Sequence, residues 1–149
     1  VGGNFKEINY WKNYLKNLSL NNIFFYGFKT PYETVKYRNS FDIVLAPYTK
    51  NVSVMKVKGK HQLETSQFMS PLKIFEYMSH KKPIVASDLP VIREILNEKN
   101  SILVEYDNIE LWVNSINKLK DYNFRKNIAA NAFNDFKNYT WKKRASIVL

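Results

Sequence analysis

The sequence predicts an α/β fold built on a parallel sheet, and two observations support this prediction. Short segments are apolar throughout, among them FDIVLAP at 41–47, PIVAS at 83–87 and SILVE at 101–105. Strands without an alternating polar side are typical of parallel sheets, because helices cover both faces. Stretches with the 3.6-residue spacing of amphipathic helices separate these segments. This alternation predicts a Rossmann-like, three-layer α/β domain with a parallel sheet.

Each predicted element has a local signal. Apolar residues at helical spacing predict a first helix, with Ile8, Trp11 and Leu15 on one side. Thr30 followed by Pro31 predicts the start of a second helix, because a cap residue and a proline suit a first turn. The other predicted elements are a buried strand at 21–27, a long loop at 48–69, helices at about 71–81, 90–96, 109–121 and 124–138, and a further helix in the tail at 140–149.

Length and composition indicate one soluble-type domain. The chain has 149 residues, of which 45% are apolar, enough for an ordinary core. No segment approaches the roughly 18 apolar residues of a membrane span, and no signal peptide opens the chain. Absence of cysteine excludes disulfides and thiolate chemistry, which fits the cytoplasm. Because the chain begins VGGNFKE without methionine, we expect a piece of a longer polypeptide that starts near the end of a strand.

The net charge of +10 narrows the class of partner. Twenty-three Lys and Arg residues stand against thirteen Asp and Glu residues. Basic surfaces favour nucleic acids, anionic lipid headgroups or phosphorylated ligands. The basic residues are scattered, however, and no aromatic-plus-basic RNA-binding signature or groove-reading helix is present. We therefore expect no nucleic-acid partner.

One basic cluster has two interpretations. Lys56, Lys58, Lys60 and His61 lie together in the predicted loop at 48–69. The first interpretation is a solvated loop. The second is a surface that faces an anionic membrane or a lipid-diphosphate acceptor, since each basic residue near such a surface contributes on the order of 1 kcal/mol.

The predicted helix at 71–81 begins with a strong signal. Ser70 is a good N-cap residue and Pro71 a good first helical residue. The free amides of the first turn, at Leu72 and Lys73, would then point out of the helix end. Together with the helix dipole they form a potential anion site. Every capped helix offers such groups, so this signal alone is not specific.

Glu76 lies on the opposite side of this helix from its apolar residues. At 3.6 residues per turn, Glu76 is roughly 150° from the centre of the apolar stripe and shares its side with Leu72 and Lys73. A carboxylate there could accept hydrogen bonds from two neighbouring sugar hydroxyls while a phosphate binds the amides. The alternative is a solvated glutamate that pairs with Lys73 or His80. The predicted apolar stripe consists of Pro71, Ile74, Phe75 and Met78.

The block SPLKIFEYMSHKKPIVASDLPVIREIL at 70–96 resembles the S-P-x-K-x-x-E-Y-M subgroup of retaining glycosyltransferases of family 4. The chain as a whole is similar to the C-terminal, donor-binding domain of these enzymes, which have the GT-B fold. The resemblance implies that residues 1–149 form one nucleotide-sugar-binding domain, without the acceptor-binding N-terminal domain and the first strand–helix unit. Weaker matches follow in the same order as in the family: VGG at 1–3, NNIFFYGF at 21–28, FDIVLAPY at 41–48 and YTW at 139–141.

The resemblance implies roles for individual residues. Glu76 matches the second glutamate of the family's E-x7-E motif, which holds the ribose hydroxyls. The segment from Ser70 to Lys73 matches the loop and helix start whose amides meet the diphosphate and the donor sugar. Phe28 and Lys29 match the segment that borders the base through backbone contacts. The complete set of donor-binding residues implied is Glu76, Ser70, Pro71, Leu72, Lys73, Phe68, Met69, Phe28 and Lys29.

Two departures from the family pattern matter. Phe68 stands where the family usually has its first glutamate, which contacts the donor sugar. The SPLK subgroup often lacks this acid, so its absence does not indicate inactivity but leaves the sugar open. The family's Arg and Lys that neutralise the diphosphate would lie before Val1. No residue of this chain is assigned to them, and no catalytic residue is assigned.

Four other polar residues have structural interpretations. We expect Glu94 to cap a helix or to pair with Arg93 or Lys99 rather than to contact the donor, and Asp88 to cap a helix rather than to bind a metal. His61 and His80 lack a carboxylate partner at a suitable spacing, so we expect no zinc site. Three aromatic residues are expected in the core: Trp11, Phe25 and Phe75.

The resemblance implies a hexosyltransferase-type glycosyltransferase. Its donor would be UDP- or GDP-linked, its acceptor a glycan or a lipid-linked molecule, and its pathway bacterial surface polysaccharide biosynthesis, with retention of anomeric configuration. It implies no cofactor and no metal, a cytoplasmic location with or without peripheral contact to the inner face of the membrane, and an isolated fragment that is inactive. Two alternatives stay open: a non-catalytic nucleotide-binding or interaction module, and a GT-B-like sugar-nucleotide epimerase.

Overall fold

The computed structural model describes residues 1–50 and 71–148. The described residues divide between two compact units, Val1–Phe41 and Asp42–Leu149. Within these residues the helices are α1 (Phe5–Asn17), α2 (Pro31–Ser40), α3 (Leu72–Ser79), α4 (Pro90–Arg93), α5 (Ile109–Lys118), α6 (Tyr122–Phe136) and α7 (Trp141–Val148). The strands are β1 (Val44–Ala46), β2 (Ile84–Ser87) and β3 (Ile102–Val104).

Both helices of the first unit begin with a capping box. The side chain of Asn4 accepts a hydrogen bond from the Glu7 amide at 3.0 Å, and the Glu7 carboxylate accepts one from the Asn4 amide at 3.1 Å. Thr30 and Glu33 form the same reciprocal pair at the start of α2. These bonds satisfy amides that a helix start leaves without partners. The predicted helix start at Thr30 and Pro31 is confirmed.

The predicted strand at 21–27 is wrong. This segment has no ladder and forms a single antiparallel bridge, in which the amide of Gly2 donates to the carbonyl of Gly27 at 2.6 Å. An apolar segment becomes a strand only where a neighbouring strand accepts its backbone hydrogen bonds. Gly27 has a φ of +66°, which ends the extended run. Trp11 is 49% exposed and Phe25 half-buried, so the prediction of Trp11 as a core residue is also wrong.

The second unit contains the predicted parallel sheet. Its strand order is β1-β2-β3, and both neighbouring pairs are parallel. Val44 lies opposite Ile84, and Val85 lies opposite Ile102. All four residues of β2 are buried, as expected for the central strand of a parallel sheet. The fold class predicted from the apolar segments is confirmed.

Helices pack on the sheet on both sides of β2. One core cluster contains Val85, and the side chains of Ile84 and Ala86, which are fully buried, point to the other face because neighbours in a strand alternate. Helix α5 contacts β2 and β3, whereas α3 contacts β1, β2 and α6. The cluster around Val85 consists of Val85, Val104, Leu119 and Ile128, with Ile43, Ile102, Trp112 and Phe124 packed against it.

Helices α3, α4 and α5 end earlier than the sequence predicts. Helix α3 ends at Ser79 because Lys81 adopts a φ of +52°, outside the right-handed helical region. Helix α4 comprises only Pro90–Arg93, and the amide of Leu96 then donates to the carbonyl of Ile92 at 2.8 Å in the following turn. The predicted tail helix is present as α7.

Candidate functional site

Helix α3 contacts β1 and β2, and residues 80–83 join its end to the start of β2, so its N-terminus points toward the edge at which the strands of the second unit end. We call this side of the sheet the carboxyl edge; it is formed by the ends of β1, β2 and β3. Because β1 and β2 are parallel, the chain must return from the carboxyl edge before β2 begins. The eight residues of α3 span about 12 Å along the helix axis. The four residues of β2 span nearly the same length, about 13 Å. Helix α3 therefore makes this return.

The start of α3 differs from the prediction by one residue. Pro71 occupies the N-cap position, with a ψ of 76° that is not helical, and Leu72 is the first helical residue. Among the described residues, no side chain forms a capping hydrogen bond at this helix start. The prediction of Ser70 as the N-cap and of Pro71 as the first helical residue is therefore wrong. Ser70 itself lies outside the described residues, as do Phe68 and Met69.

The first turn of α3 presents two backbone amides. The amide of Ile74 donates to the carbonyl of Pro71 at 2.9 Å, so the amides of Leu72 and Lys73 precede the first hydrogen bond of this turn. Such amides carry the positive end of the helix dipole and bind anions. Leu72 and Lys73 are exposed. The helix start lies at Pro71 and Leu72, and the anion site predicted there from the sequence stays a prediction.

Glu76 lies one turn behind this helix start, on its exposed face. It shares that face with Leu72 and Lys73, whereas Ile74 and Met78 are fully buried. The separation of the apolar and polar sides of α3 is confirmed. The core residues of the predicted stripe are Pro71, Ile74 and Met78, all buried, while Phe75 is half-buried and packs against the ring of Tyr139 at 5.1 Å.

His80 interacts with the backbone of α3. Its Nδ1 lies 2.7 Å from the carbonyl oxygen of Glu76 and 3.0 Å from the hydroxyl of Ser79. Cations and donors at a helix C-terminus satisfy carbonyls that have no partner within the helix. His80 is therefore the C-cap residue of α3, and its ring contacts the backbone of Glu76.

Phe28 and Lys29 belong to the first compact unit. Phe28 is 80% exposed. The ammonium of Lys29 lies 3.8 Å from the carboxylate of Glu33 and 5.9 Å from the centre of the Tyr37 ring. Hydrogen bonds from the backbone amide and from the side chain of Thr30 lower the pKa of Glu33, and the backbone bond has the larger effect. The positive charge of Lys29 lowers this pKa further. The role of Phe28 and Lys29 beside a base stays a prediction.

An ion-pair network follows β2. Arg93 donates from Nη2 to Oδ2 of Asp88 at 2.8 Å and from Nη1 to Oε1 of Glu98 at 2.8 Å, and its Nε donates to Oδ1 of Asp88. The hydrogen bonds from Arg93 lower the pKa values of both carboxyl groups, and in turn raise that of Arg93. Asp88 does not cap α4, whose N-cap is Leu89 without a side-chain bond, so that prediction is wrong.

Of the roles expected for Glu94, the helix-cap position is observed, whereas the pairing with Arg93 is not observed among the described residues. Arg93 is bound to Asp88 and Glu98, and Glu94 is the C-cap residue of α4. The carbonyl of Glu94 accepts a hydrogen bond from the hydroxyl of Tyr139 at 3.3 Å. Arg93 binds Glu98 rather than Glu94. Glu98 follows Arg93 by five residues and lies beyond the end of α4.

Sequence reasoning missed a pair at the carboxyl edge. The ammonium of Lys50 lies 5.8 Å from the centre of the Tyr106 ring. Lys50 follows β1 and Tyr106 follows β3, so 56 positions of sequence separate them. The available signal was the parallel topology, which places residues that follow different strands on the same edge. Nearby, burial raises the pKa of the half-buried Tyr48.

Two kinds of feature are absent from the residues that the structure describes: a metal-binding group and a membrane-spanning helix. Among residues 1–50 and 71–148, no group of three His, Cys, Asp or Glu side chains could hold a metal ion. No helix in those two ranges has the length and apolar character to cross a membrane.

A family model decides the class of this protein. The model for glycosyl transferases group 1 matches residues 1–121, which include the whole first unit, the larger part of the second unit and the whole sheet. The chain belongs to this family. No curated protein matches it in a sequence search. Membership places the chain in a family whose model describes glycosyl transferases.

Solved structures agree with this glycosyltransferase assignment at the level of fold. Sucrose-phosphate synthase from Thermosynechococcus elongatus matches 99% of this chain and 35% of its own chain, with a TM-score of 0.74 and 15% identity. TarM matches 98% of this chain and 26% of its own, with a TM-score of 0.70 and 20% identity. The glycosyltransferase chain thus has a GT-B domain fold and spans about a third or less of either structure.

Proposed function

We propose that this glycosyltransferase chain is the donor-binding part of a retaining, hexosyltransferase-type enzyme of family 4. Its donor is a UDP- or GDP-linked sugar, and its acceptor is a glycan or a lipid-linked molecule in bacterial surface polysaccharide biosynthesis. The observation that carries the proposal is the exposed face of α3, which presents the amides of Leu72 and Lys73 at the carboxyl edge with Glu76 one turn behind them. Ligands of parallel α/β sheets bind at this edge.

The phosphate and the ribose of the donor each have a binding group on this face. The amides of Leu72 and Lys73 bind a phosphate oxygen, with the positive end of the helix dipole behind them. The ammonium of Lys73 adds a positive charge to the same turn. The carboxylate of Glu76 accepts hydrogen bonds from the two ribose hydroxyls, which are about one helical turn from the phosphate. Phe28 and Lys29 border the base through their backbone, and Phe68, Met69 and Ser70 complete the donor segment.

The chemistry that this arrangement favours is electrostatic. When the sugar is transferred, the bond between its anomeric carbon and the diphosphate oxygen breaks, and the electron pair stays on the diphosphate. The oxygen of an acceptor hydroxyl forms the new bond to the anomeric carbon, and its proton passes to the released diphosphate. Preorganised amides and positive groups stabilise that charge without reorganisation during the reaction. Transfer therefore needs no acid or base on α3 and no metal. The acceptor binds to a part of the protein outside this chain.

The same proposal places the enzyme in the cytoplasm, at the inner face of the membrane when its acceptor is lipid-linked. The net charge of +10 supports this location, because an anionic surface attracts a basic protein. The basic cluster of Lys56, Lys58, Lys60 and His61 lies outside the described residues. Co-sedimentation with anionic vesicles, with the three lysines changed to Gln, tests its contribution; unchanged binding would remove the cluster from the proposal.

Nucleotide binding is the first test. Saturation-transfer NMR with UDP, GDP, ADP and CMP should show transfer to the ribose protons of one nucleotide, and Glu76→Gln should abolish it. The matched control is Asp42→Asn, because Asp42 is exposed and precedes β1, at the opposite edge of the sheet. Equal loss in both variants would indicate a general charge effect and count against a role for Glu76.

Transfer is the second test and requires the enzyme with its acceptor-binding part. The expected product keeps the anomeric configuration of the donor sugar, which the proton coupling constant at its anomeric carbon reports. Binding that depends on Glu76 without any transfer would favour a non-catalytic nucleotide-binding module. A changed sugar that remains attached to the nucleotide would favour an epimerase. No binding of any nucleotide would contradict the donor site.

A further inference from the structure

The carboxyl edge holds a positive charge that the donor-binding residues on α3 do not include. The ammonium of Lys50 lies over the ring of Tyr106, 5.8 Å from its centre. At this distance the negative face of the ring attracts the cation. Lys50 is exposed and Tyr106 half-buried, so the ring is the anchored partner and the lysine the mobile one.

The topology places this pair across the end of β2. In the order β1-β2-β3, the strands that precede Lys50 and Tyr106 are the two neighbours of β2. Neighbouring strands lie about 4.8 Å apart, so β1 and β3 are separated by about 10 Å. A lysine side chain that bridges this gap carries its ammonium over the carboxyl end of the central strand. Ligands bind at that edge in sheets of this kind.

The charge of Lys50 is available to a ligand. Within residues 1–50 and 71–148 it forms no ion pair, and its described partner is a neutral ring. Glu105 and Asp107 flank Tyr106 in the sequence, but neither carboxylate forms an ion pair with Lys50 there. Arg93, a cation that follows β2 among the described residues, is already bound to two carboxylates.

We propose that Lys50, held over Tyr106, binds a phosphate group of the ligand at the carboxyl edge. The inference rests on the proposed function and deepens it, because it assigns a positive charge to the diphosphate from within this chain. The shared chemistry is a diphosphate, whose source is either the nucleotide sugar or a lipid-linked acceptor. Tyr106 acts as a positioning residue, since it holds the ammonium and does not touch the phosphate.

The experiment follows the ammonium itself. Lysine ammonium groups are labelled with ¹⁵N in the full chain, and Lys50 is assigned by comparison with Lys50→Gln. Inorganic pyrophosphate should shift the Lys50 signal, and Lys50→Gln should weaken pyrophosphate binding about tenfold, the effect of one charge-assisted hydrogen bond. Lys50→Arg should retain most of the affinity. Lys120→Gln is the control, because Lys120 is exposed beyond the C-terminus of α5.

Tyr106 is tested by two variants with the same readout. Tyr106→Phe keeps the aromatic face and should bind pyrophosphate as the natural chain does. Tyr106→Leu removes the face and should weaken binding by a smaller factor than Lys50→Gln, with a narrower, more mobile Lys50 signal. Equal affinities of Tyr106→Phe and Tyr106→Leu would overturn the positioning role.

Three kinds of ligand show whether the diphosphate belongs to the nucleotide sugar or to a lipid-linked acceptor. They also distinguish the role of Lys50 from the proposed donor site. Lys50→Gln should weaken UDP or GDP binding but leave uridine or guanosine binding unchanged, if the diphosphate belongs to the donor. A loss confined to geranyl diphosphate would assign the charge to a lipid-linked acceptor. Nucleotide binding that depends on Glu76, together with nucleotide and geranyl diphosphate binding that are both independent of Lys50, would overturn this inference and leave the proposed function standing. An unshifted Lys50 signal with every diphosphate would also overturn it.

Discussion

Arg93 binds both carboxylate oxygens of Asp88, through Nη2 at 2.8 Å and through Nε. The amide of Asp88 also donates to the carbonyl of Val104 at 2.7 Å, so the residue that follows β2 is tied to β3 as well as to α4. Two parallel hydrogen bonds between an arginine and a carboxylate fix direction as well as distance. The turn between β2 and α4 therefore has a defined position at the carboxyl edge.

The ion pairs of Arg93 with Asp88 and Glu98 make the free energy of unfolding depend on pH in the acidic range. Hydrogen bonds from Arg93 lower the pKa values of Asp88 and Glu98 in the folded state. Such groups stabilise the fold above their unfolded pKa values of about 4, and the stabilisation is lost as the pH falls through the lowered values. Arg93→Gln should therefore lower the free energy of unfolding at pH 7 and have less effect at pH 2.

Urea unfolding at both pH values measures this effect. Arg125→Gln is the control, because the described contact of Arg125 is with the ring of Tyr122, 5.9 Å away, rather than with a carboxylate. An equal loss at pH 7 and at pH 2 would show that Arg93 contributes through packing and not through these carboxylates.

Two buried serines should respond in opposite directions to the same substitution. Ser87 is fully buried, and within the described part of the chain its hydroxyl has no hydrogen-bond partner. Ser101 is equally buried, but its hydroxyl donates to the carbonyl of Asn97 at 3.0 Å. Ser87→Ala should leave the free energy of unfolding unchanged or raise it by about 1 kcal/mol, whereas Ser101→Ala should lower it by about 1 kcal/mol. Equal losses from thermal or urea unfolding would refute the difference.

The two sides of α3 should differ strongly in their contribution to stability. Met78→Ala removes a fully buried side chain and should lower the free energy of unfolding by about 2–5 kcal/mol. Leu72→Ala, on the same helix but 70% exposed, should change it by less than about 0.5 kcal/mol. Calorimetry of both variants tests the orientation of the helix. A large loss at Leu72 would mean that its side chain is covered.

A change in the ligand tests the proposed role of Glu76 independently of fold. If the carboxylate accepts hydrogen bonds from the ribose hydroxyls, the 2′-deoxy nucleotide should bind about tenfold more weakly than the ribonucleotide, the effect of one such bond. Glu76→Gln should bind the two almost equally. The measurement is titration calorimetry with the four combinations of chain and ligand. Undiminished discrimination in Glu76→Gln would assign the ribose contact to another residue.

Local signals in the sequence predicted the elements that depend on local chemistry. The apolar runs at 41–47, 83–87 and 101–105 contain β1, β2 and β3. Thr30 and Pro31 marked the start of α2, because a cap and a restrained φ act within one turn. On α3 the spacing of apolar residues predicted that Glu76 is exposed, which is confirmed, whereas the predicted anion site stays a prediction.

Tertiary relationships were not accessible in the same way. The apolar run at 21–27 has the composition of a strand but forms no ladder, because strand formation depends on a partner that no local pattern specifies. Aspartate is a common helix-cap residue, and Asp88 lies just before α4. Its carboxylate instead binds the guanidinium of Arg93, which α4 places beside it. Both errors concern the choice among partners.

The sequence by itself thus determined which segments are helical or extended, which side of α3 is apolar, and the resemblance of residues 70–96 to a family of sugar-transferring enzymes. Only the tertiary structure showed that Lys50 lies over Tyr106 and that Arg93 joins Asp88 to Glu98. The physical reason is range. Helix periodicity and capping act over three or four residues, whereas a charge selects its partner from all the groups that the folded sheet brings within a few ångströms.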